Sequence, residues 1–120
     1  MTVAYGVVAA LLALFHLYGG GLKVVRSRER LLPMMAWVDD TPMPVVRGIG
    51  AVEVLGALGL VLPPLTGVAP RLGAAAAVGF VALQLGAIRV HLRRGDRAVA
   101  LNVALLLAAA VTAGLSTAWW

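Results

Sequence analysis

Apolar side chains fill four long blocks of the chain, separated by short stretches where charge, proline and glycine collect. The blocks run approximately over residues 2–22, 45–62, 70–88 and 98–118, each near the roughly 20 residues that a helix needs to cross about 30 Å of hydrocarbon. The pattern predicts an all-α fold, an integral membrane four-helix bundle forming a single transmembrane domain over residues 1–120. The first block lacks a basic stretch before it, is long for the apolar core of a signal peptide, and holds His16 and Tyr18 near its end. It is therefore expected to be retained as a span.

Composition points the same way. A soluble domain carries about 45–50% apolar and about 25% charged residues, whereas this chain has 62% hydrophobic and 12% charged. Too little polar surface is available to cover it in water, so lipid must do the covering. The net charge of +5 comes with only 6% aromatic residues and falls in short segments, which suits anionic lipid heads and topology rather than nucleic acid. With no cysteine, the chain has no structural disulfide, no dithiol chemistry and no cysteine-ligated metal.

The basic residues also predict an orientation. Lys23, Arg26, Arg28, Arg30, Arg47, Arg89, Arg93, Arg94 and Arg97 lie in or beside the segments after the first and third spans, and only Arg71 lies on the other side. The positive-inside rule puts both basic loops in the cytoplasm of a bacterial-type plasma membrane and both termini outside, with Trp119 and Trp120 anchoring the last helix at the outer interface. Within the loop 23–44, an apolar stretch around Trp37 is flanked by charge and ends on a turn signal. It is expected to lie on the membrane surface or to form a partly ordered loop. Ser27, Asp39, Asp40 and Thr41 read as cap and turn residues.

The few polar residues inside the spans fall at similar depths. Counted from the cytoplasmic ends at about 1.5 Å per residue, Glu53 lies roughly 12 Å deep, His16 roughly 9 Å, and Gln84 and Asn102 roughly 6 Å. Gly50, Gly56 and Ala57 share the face of Glu53 and would let a neighbouring helix approach closely. His16 with Lys23, and Gln84 with His91, are each seven apart and form stripes toward the cytoplasm. Arg47 is off the face of Glu53 and reads as an interfacial anchor. Without a partner, an acid in such surroundings takes up a proton, unless His16 or a basic residue at the rim shares it.

Two readings of this layer stand side by side. Asn, Gln, His and Glu can act as structural glue across a bundle, yet a carboxylate at this depth is a functional-site candidate by default. His16 and His91 sit at different depths without ligand-spaced companions, so neither is read as a metal or haem ligand. The triplet Gly19, Gly20, Gly21 lacks the strand and helix of a phosphate loop and reads as close packing or a helix-end flexure. L-K-V-V-R also echoes I-R-V-H-L, and R-G-I-G-A-V-E-V lines up with R-A-V-A-L-N-V. Those echoes suggest two repeated helical hairpins, with Glu53 in register with Asn102.

The segments G-G-G-L-K-V-V, R-G-I-G-A-V-E-V-L-G-A-L-G-L-V-L-P and G-A-I-R-V-H-L-R-R-G-D together resemble the DoxX-like family of small four-helix membrane proteins. The resemblance covers nearly the whole chain. Its most specific part is the I-G-x-x-E-x-x-G-A-L-G-L core, carried here by Ile49, Gly50, Glu53, Gly56, Ala57, Leu58, Gly59 and Leu60. Lys23 matches the basic residue of the first motif and His91 the histidine after the third span. The resemblance implies kinship with membrane subunits of a thiosulfate:quinone oxidoreductase and with relatives tied to redox stress or biosynthetic enzymes. Lacking cysteine and cofactor motifs, this chain would need a bound quinone or an oxidoreductase partner for any redox role.

The expected function is binding of a small hydrophobic molecule, quinone or lipid-like, around Glu53, in support of membrane redox or detoxification chemistry. Glu53 would give or take the proton with His16 as its nearest polar partner. Gln84 and Asn102 would orient the ligand, while Lys23, His91 and Arg89 guard the cytoplasmic mouth. A membrane-embedded isomerase or cyclase using Glu53 as acid or base is the alternative, and a structural or assembly subunit without a pocket is a third. Small-residue faces also invite a homo-oligomer.

Overall fold

A computed structural model describes residues 2–96 and 99–119 of the chain. Helix α1 spans Val3–Val25, a short α2 covers Arg28–Leu31, α3 spans Met43–Thr66, α4 Arg71–Arg93 and α5 Ala100–Leu115, with 3₁₀ turns at Ala36–Asp40 and Ser116–Trp119. No strand occurs among the described residues. The long helices form a ring in which α1 packs on α3, α3 on α4, α4 on α5, and α5 back on α1. Helices α1, α3 and α4 are long and apolar enough to cross a membrane, and α5 is a shorter apolar helix. Arg97, Ala98, Trp120 and the side chain of Trp119 lie outside the described residues, and the expected tryptophan anchor falls with them.

Each boundary has a local cause. The Thr2 hydroxyl accepts from the Tyr5 amide and caps α1, satisfying one of the donors a helix start leaves open. The glycine triplet does not flex the helix; α1 runs through it to Val25. At the other end of the ring, α5 is shorter than the expected 98–118 span. The Ser116 and Thr117 hydroxyls donate to the Ala113 and Gly114 carbonyls, in keeping with a last turn tightened into 3₁₀ form.

The sequence pattern ends the second span at residue 62, before Pro63 and Pro64, but α3 continues to Thr66. Prolines inside a helix remove backbone donors, so the carbonyl of Leu60 has no amide at position 64 to accept from. The buried Tyr5 hydroxyl supplies the missing bond, donating to the Leu60 carbonyl at 2.7 Å. The Thr66 hydroxyl donates to the Leu62 carbonyl at 2.7 Å, and Gly67 closes the helix in the left-handed conformation at φ 76°. That geometry suits glycine, which has no Cβ to clash.

Two cores result. Tyr5, Ala9, Leu12, Ala57, Leu60, Ala77, Phe80 and Ala109 pack at the centre of the ring. A second cluster of Leu22, Leu31, Val38 and Val46 forms where the 23–44 loop folds onto the ends of α1 and α3, so this loop is ordered by burial. Large aliphatic side chains such as Val7, Leu11, Leu14, Val52, Leu55 and Leu85 point outward. A core that mixes alanines with a few large side chains under an apolar exterior fits an integral membrane protein.

Candidate functional site

Helix α3 carries Glu53 to its closest approach with α1. A Cβ added to Gly20 would lie 2.8 Å from both the Gly50 carbonyl oxygen and Glu53 Cβ, and one added to Gly50 would lie 2.6 Å from the Gly20 carbonyl oxygen. Only glycine at both positions lets the backbones meet there. Glu53 is thereby pressed against the α1 face that bears His16 and Lys23, and it is 2% exposed.

Both carboxylate oxygens of Glu53 are engaged. His16 Nδ1 lies 2.8 Å from Oε2, and the Lys23 ammonium donates to Oε1. His16, itself 1% exposed, stacks on Phe80 with ring centroids 4.0 Å apart and meets Phe15 edge-on at 5.5 Å. Its Nε2 has no hydrogen-bond partner among the described residues. Lys23 also lies 5.8 Å from the centroid of the Trp37 ring.

Sequence spacing places Lys23 at the mouth; in the folded chain it lines the cleft and also pairs with Glu53. Arg47 anchors the end of α1, donating to the carbonyls of Lys23 at 2.7 Å and Arg26 at 2.5 Å. These belong to the last turn, where carbonyls lack helical partners. A second polar pair joins the other hairpin: Asn102 Nδ2 donates to Gln84 Oε1 at 3.0 Å.

Between the two pairs lies a cleft of about 780 Å³. Its polar lining includes Glu53, Lys23, Gln84, Asn102 and His91; its walls include Phe15, Leu22, Ile49, Leu83, Leu101 and Leu105. The 23–44 loop closes one side with Met34, Met35, Ala36, Trp37 and Thr41, residues expected on the membrane surface or in a partly ordered loop. The signal for them was an apolar block within a charged loop, which also describes a segment that folds inward.

Two expected site residues lie apart from this lining. Arg89 is exposed and does not line the cleft. His16 is behind Glu53 and does not line it either. His91 does, with its Nδ1 3.3 Å from Asp96 Oδ2, while Arg94 Nε donates to the same oxygen at 3.0 Å. These two hydrogen bonds, His91 first and Arg94 second, hold the Asp96 carboxyl below the ordinary aspartate range. Arg94 also pairs with Asp40, tying the two basic loops together at one end of the bundle. Asp40, expected as a turn residue, thus bridges elements. Among the described residues no three His, Asp or Glu side chains gather as metal ligands.

A ring of helices, three of them long and apolar enough to span a membrane, fits a small helical integral membrane protein. The family model for the DoxX-like family matches residues 7–113. The chain belongs to the DoxX-like family. No curated protein and no solved structure matches it.

Proposed function

We propose that this DoxX-like membrane protein binds a small hydrophobic molecule, quinone or lipid-like, in the cleft beside Glu53, in support of membrane redox or detoxification chemistry. The observation that carries this reading is the cleft itself: about 780 Å³ falls within the roughly 300–1,000 Å³ typical of ligand sites, which are mostly apolar with a few convergent polar groups. Glu53 and Lys23 stand on one hairpin, Gln84 and Asn102 on the other, so a polar end entering between them meets both. Electron transfer would require a bound quinone or an oxidoreductase partner, because the chain has no cysteine.

The bundle sits in a bacterial-type plasma membrane with both basic loops in the cytoplasm. The joining of these loops by Arg94 and Asp40 supports a common side for them, and the positive-inside rule supplies the side. The Ala36–Asp40 segment then lies at the cytoplasmic interface. A self-associated form would use the outward small-residue face of α3 and α4.

Protein extracted gently from its native membrane tests the reading. Mass spectrometry of the co-purified hydrophobic molecules should find a species retained by the parent protein and lost from Gly86→Phe, which fills the cleft at a position where an added Cβ meets no atom within 4 Å. Identical contents in both proteins would refute cleft binding.

A second reading, an isomerase or cyclase acting by proton transfer, is favoured by the 2.8 Å contact between His16 and Glu53, the geometry of a coupled acid and base. Under that reading Glu53→Gln abolishes turnover of the retained molecule while leaving its retention intact.

A further inference from the structure

The cations expected at the mouth of the cleft are not available to a ligand. Lys23 is spent on Glu53, Arg89 does not line the cleft, and His91 shares Asp96 with Arg94. The titratable residues that line the cleft are Tyr18, Lys23, Glu53 and His91. Lys23 and Glu53 cancel, and their shared charge is shielded: the side chains are 12% and 3% exposed.

Beside this balanced pair stands an incomplete amide pair. The bond from Asn102 Nδ2 to Gln84 Oε1 leaves the Gln84 amide group as a donor and the Asn102 carbonyl as an acceptor, both on residues lining the cleft. Gln84 is itself 4% exposed. A charged head placed here would have no counter-ion and would lose its hydration, whereas an uncharged carbonyl or hydroxyl would find a donor and an acceptor.

Resting on the cleft reading above, we infer that the cleft selects an amphiphile with an uncharged, oxygen-bearing head and excludes carboxylate and ammonium heads of equal chain length. Glu53 and Lys23 are then positioning residues that set the local charge to zero, and Gln84 with Asn102 makes the contact. The exposed arginines Arg30, Arg89 and Arg93 attract anionic heads to the outside of the bundle, so selection inside the cleft opposes the overall charge.

The experiment uses the full chain with Trp119→Phe and Trp120→Phe, leaving Trp37 of the cleft wall as the only tryptophan, in nanodiscs of phosphatidylcholine. Four brominated twelve-carbon probes, an alcohol, a methyl ketone, a carboxylate and a primary ammonium, are compared at neutral pH by quenching of Trp37, each corrected for its partition into protein-free discs. The alcohol and ketone are expected to bind at least about tenfold more tightly than either ion. Glu53→Gln should shift the preference toward the carboxylate, and Lys23→Gln toward the ammonium, because each leaves one charge uncompensated. Equal or tighter binding of an ion by the parent protein would overturn the head-group inference while leaving the cleft as a binding site. Failure of all four probes to quench beyond the Gly86→Phe background would overturn the cleft reading and this inference with it.

Discussion

The Tyr5 hydroxyl donates to the carbonyl of Leu60, 2.7 Å away and 55 residues later in the chain. That carbonyl is the one Pro64 leaves without a helical donor. A side chain near the start of α1 thus repairs a break in α3, and in doing so fixes the register between the two helices. Gly73 of α4 closes over the same spot: a Cβ there would lie 2.6 Å from the Tyr5 hydroxyl and 2.5 Å from Pro64 Cγ.

Removing the hydroxyl should therefore expose the defect. Tyr5→Phe is expected to destabilise the protein by about 1–3 kcal/mol, the cost of a buried carbonyl left unsatisfied. Pro64→Ala restores a backbone amide at that position, so in its background the loss from Tyr5→Phe should shrink. Thermal unfolding of the four proteins of this cycle in detergent gives the coupling directly, and additive effects would rule out the repair.

The glycines at the α1 and α3 crossing should be intolerant for a steric reason. Gly50→Ala places a methyl 2.6 Å from the Gly20 carbonyl oxygen, an overpacking expected to cost about 1–3 kcal/mol. Gly21→Ala, where nothing lies within 4 Å, should be neutral or stabilising by up to about 1 kcal/mol through helix propensity. Melting temperatures measured side by side in detergent check the contrast.

Breaking the buried ion pair should be asymmetric. Lys23→Met leaves the Glu53 carboxylate, 2% exposed, with His16 alone, and a loss of roughly 3–5 kcal/mol is expected for an uncompensated buried charge. Glu53→Gln should cost less, because the Lys23 chain is nearer the cleft opening and its head can reach water. The combined Lys23→Met and Glu53→Gln protein should recover much of the stability lost in Lys23→Met. Denaturation in mixed detergent micelles checks the ranking; equal losses for the two single changes would contradict it.

Acidification should act on the loop that joins α4 to α5. Asp96 has its folded value depressed by His91 and Arg94, so its contribution is present above the ordinary aspartate value of about 3.9. It is lost as pH falls through the lowered folded value. The melting-temperature advantage of the parent protein over Asp96→Asn should therefore be constant near neutrality and disappear below about pH 4. It should also fall with added salt, since the carboxyl is solvent-exposed. An advantage that grew on acidification would show that the carboxyl is stabilised in its protonated form.

Much of the candidate site was legible from spacing. His16 and Lys23, seven apart on one helix, do meet the same carboxylate, because two helical turns return side chains to one face. Gln84 and His91 line one cleft for the same reason. Spacing did not single out Lys23 as the basic residue that pairs with Glu53, nor show that Arg47 would hold the last carbonyls of α1. Long flexible basic chains choose partners by three-dimensional proximity, and periodicity along one helix carries no information about that.

By itself the sequence determined the apolar helices, their approximate limits, the family, and the presence of an acid among small residues. Those follow from hydrophobic length, from punctuation by charge and proline, and from a motif carried on one helix. Tertiary structure alone decided that Pro63 and Pro64 would be absorbed into α3, that the 23–44 loop would fold inward as a wall, and that the site's charges would cancel. Each depends on a contact between residues far apart in the chain: a hydroxyl finding an orphaned carbonyl, Leu31 and Val38 finding Leu22 and Val46, and an ammonium finding a buried carboxylate. Local propensity is blind to such partners, because burial makes each contact worth forming only once the helices have met.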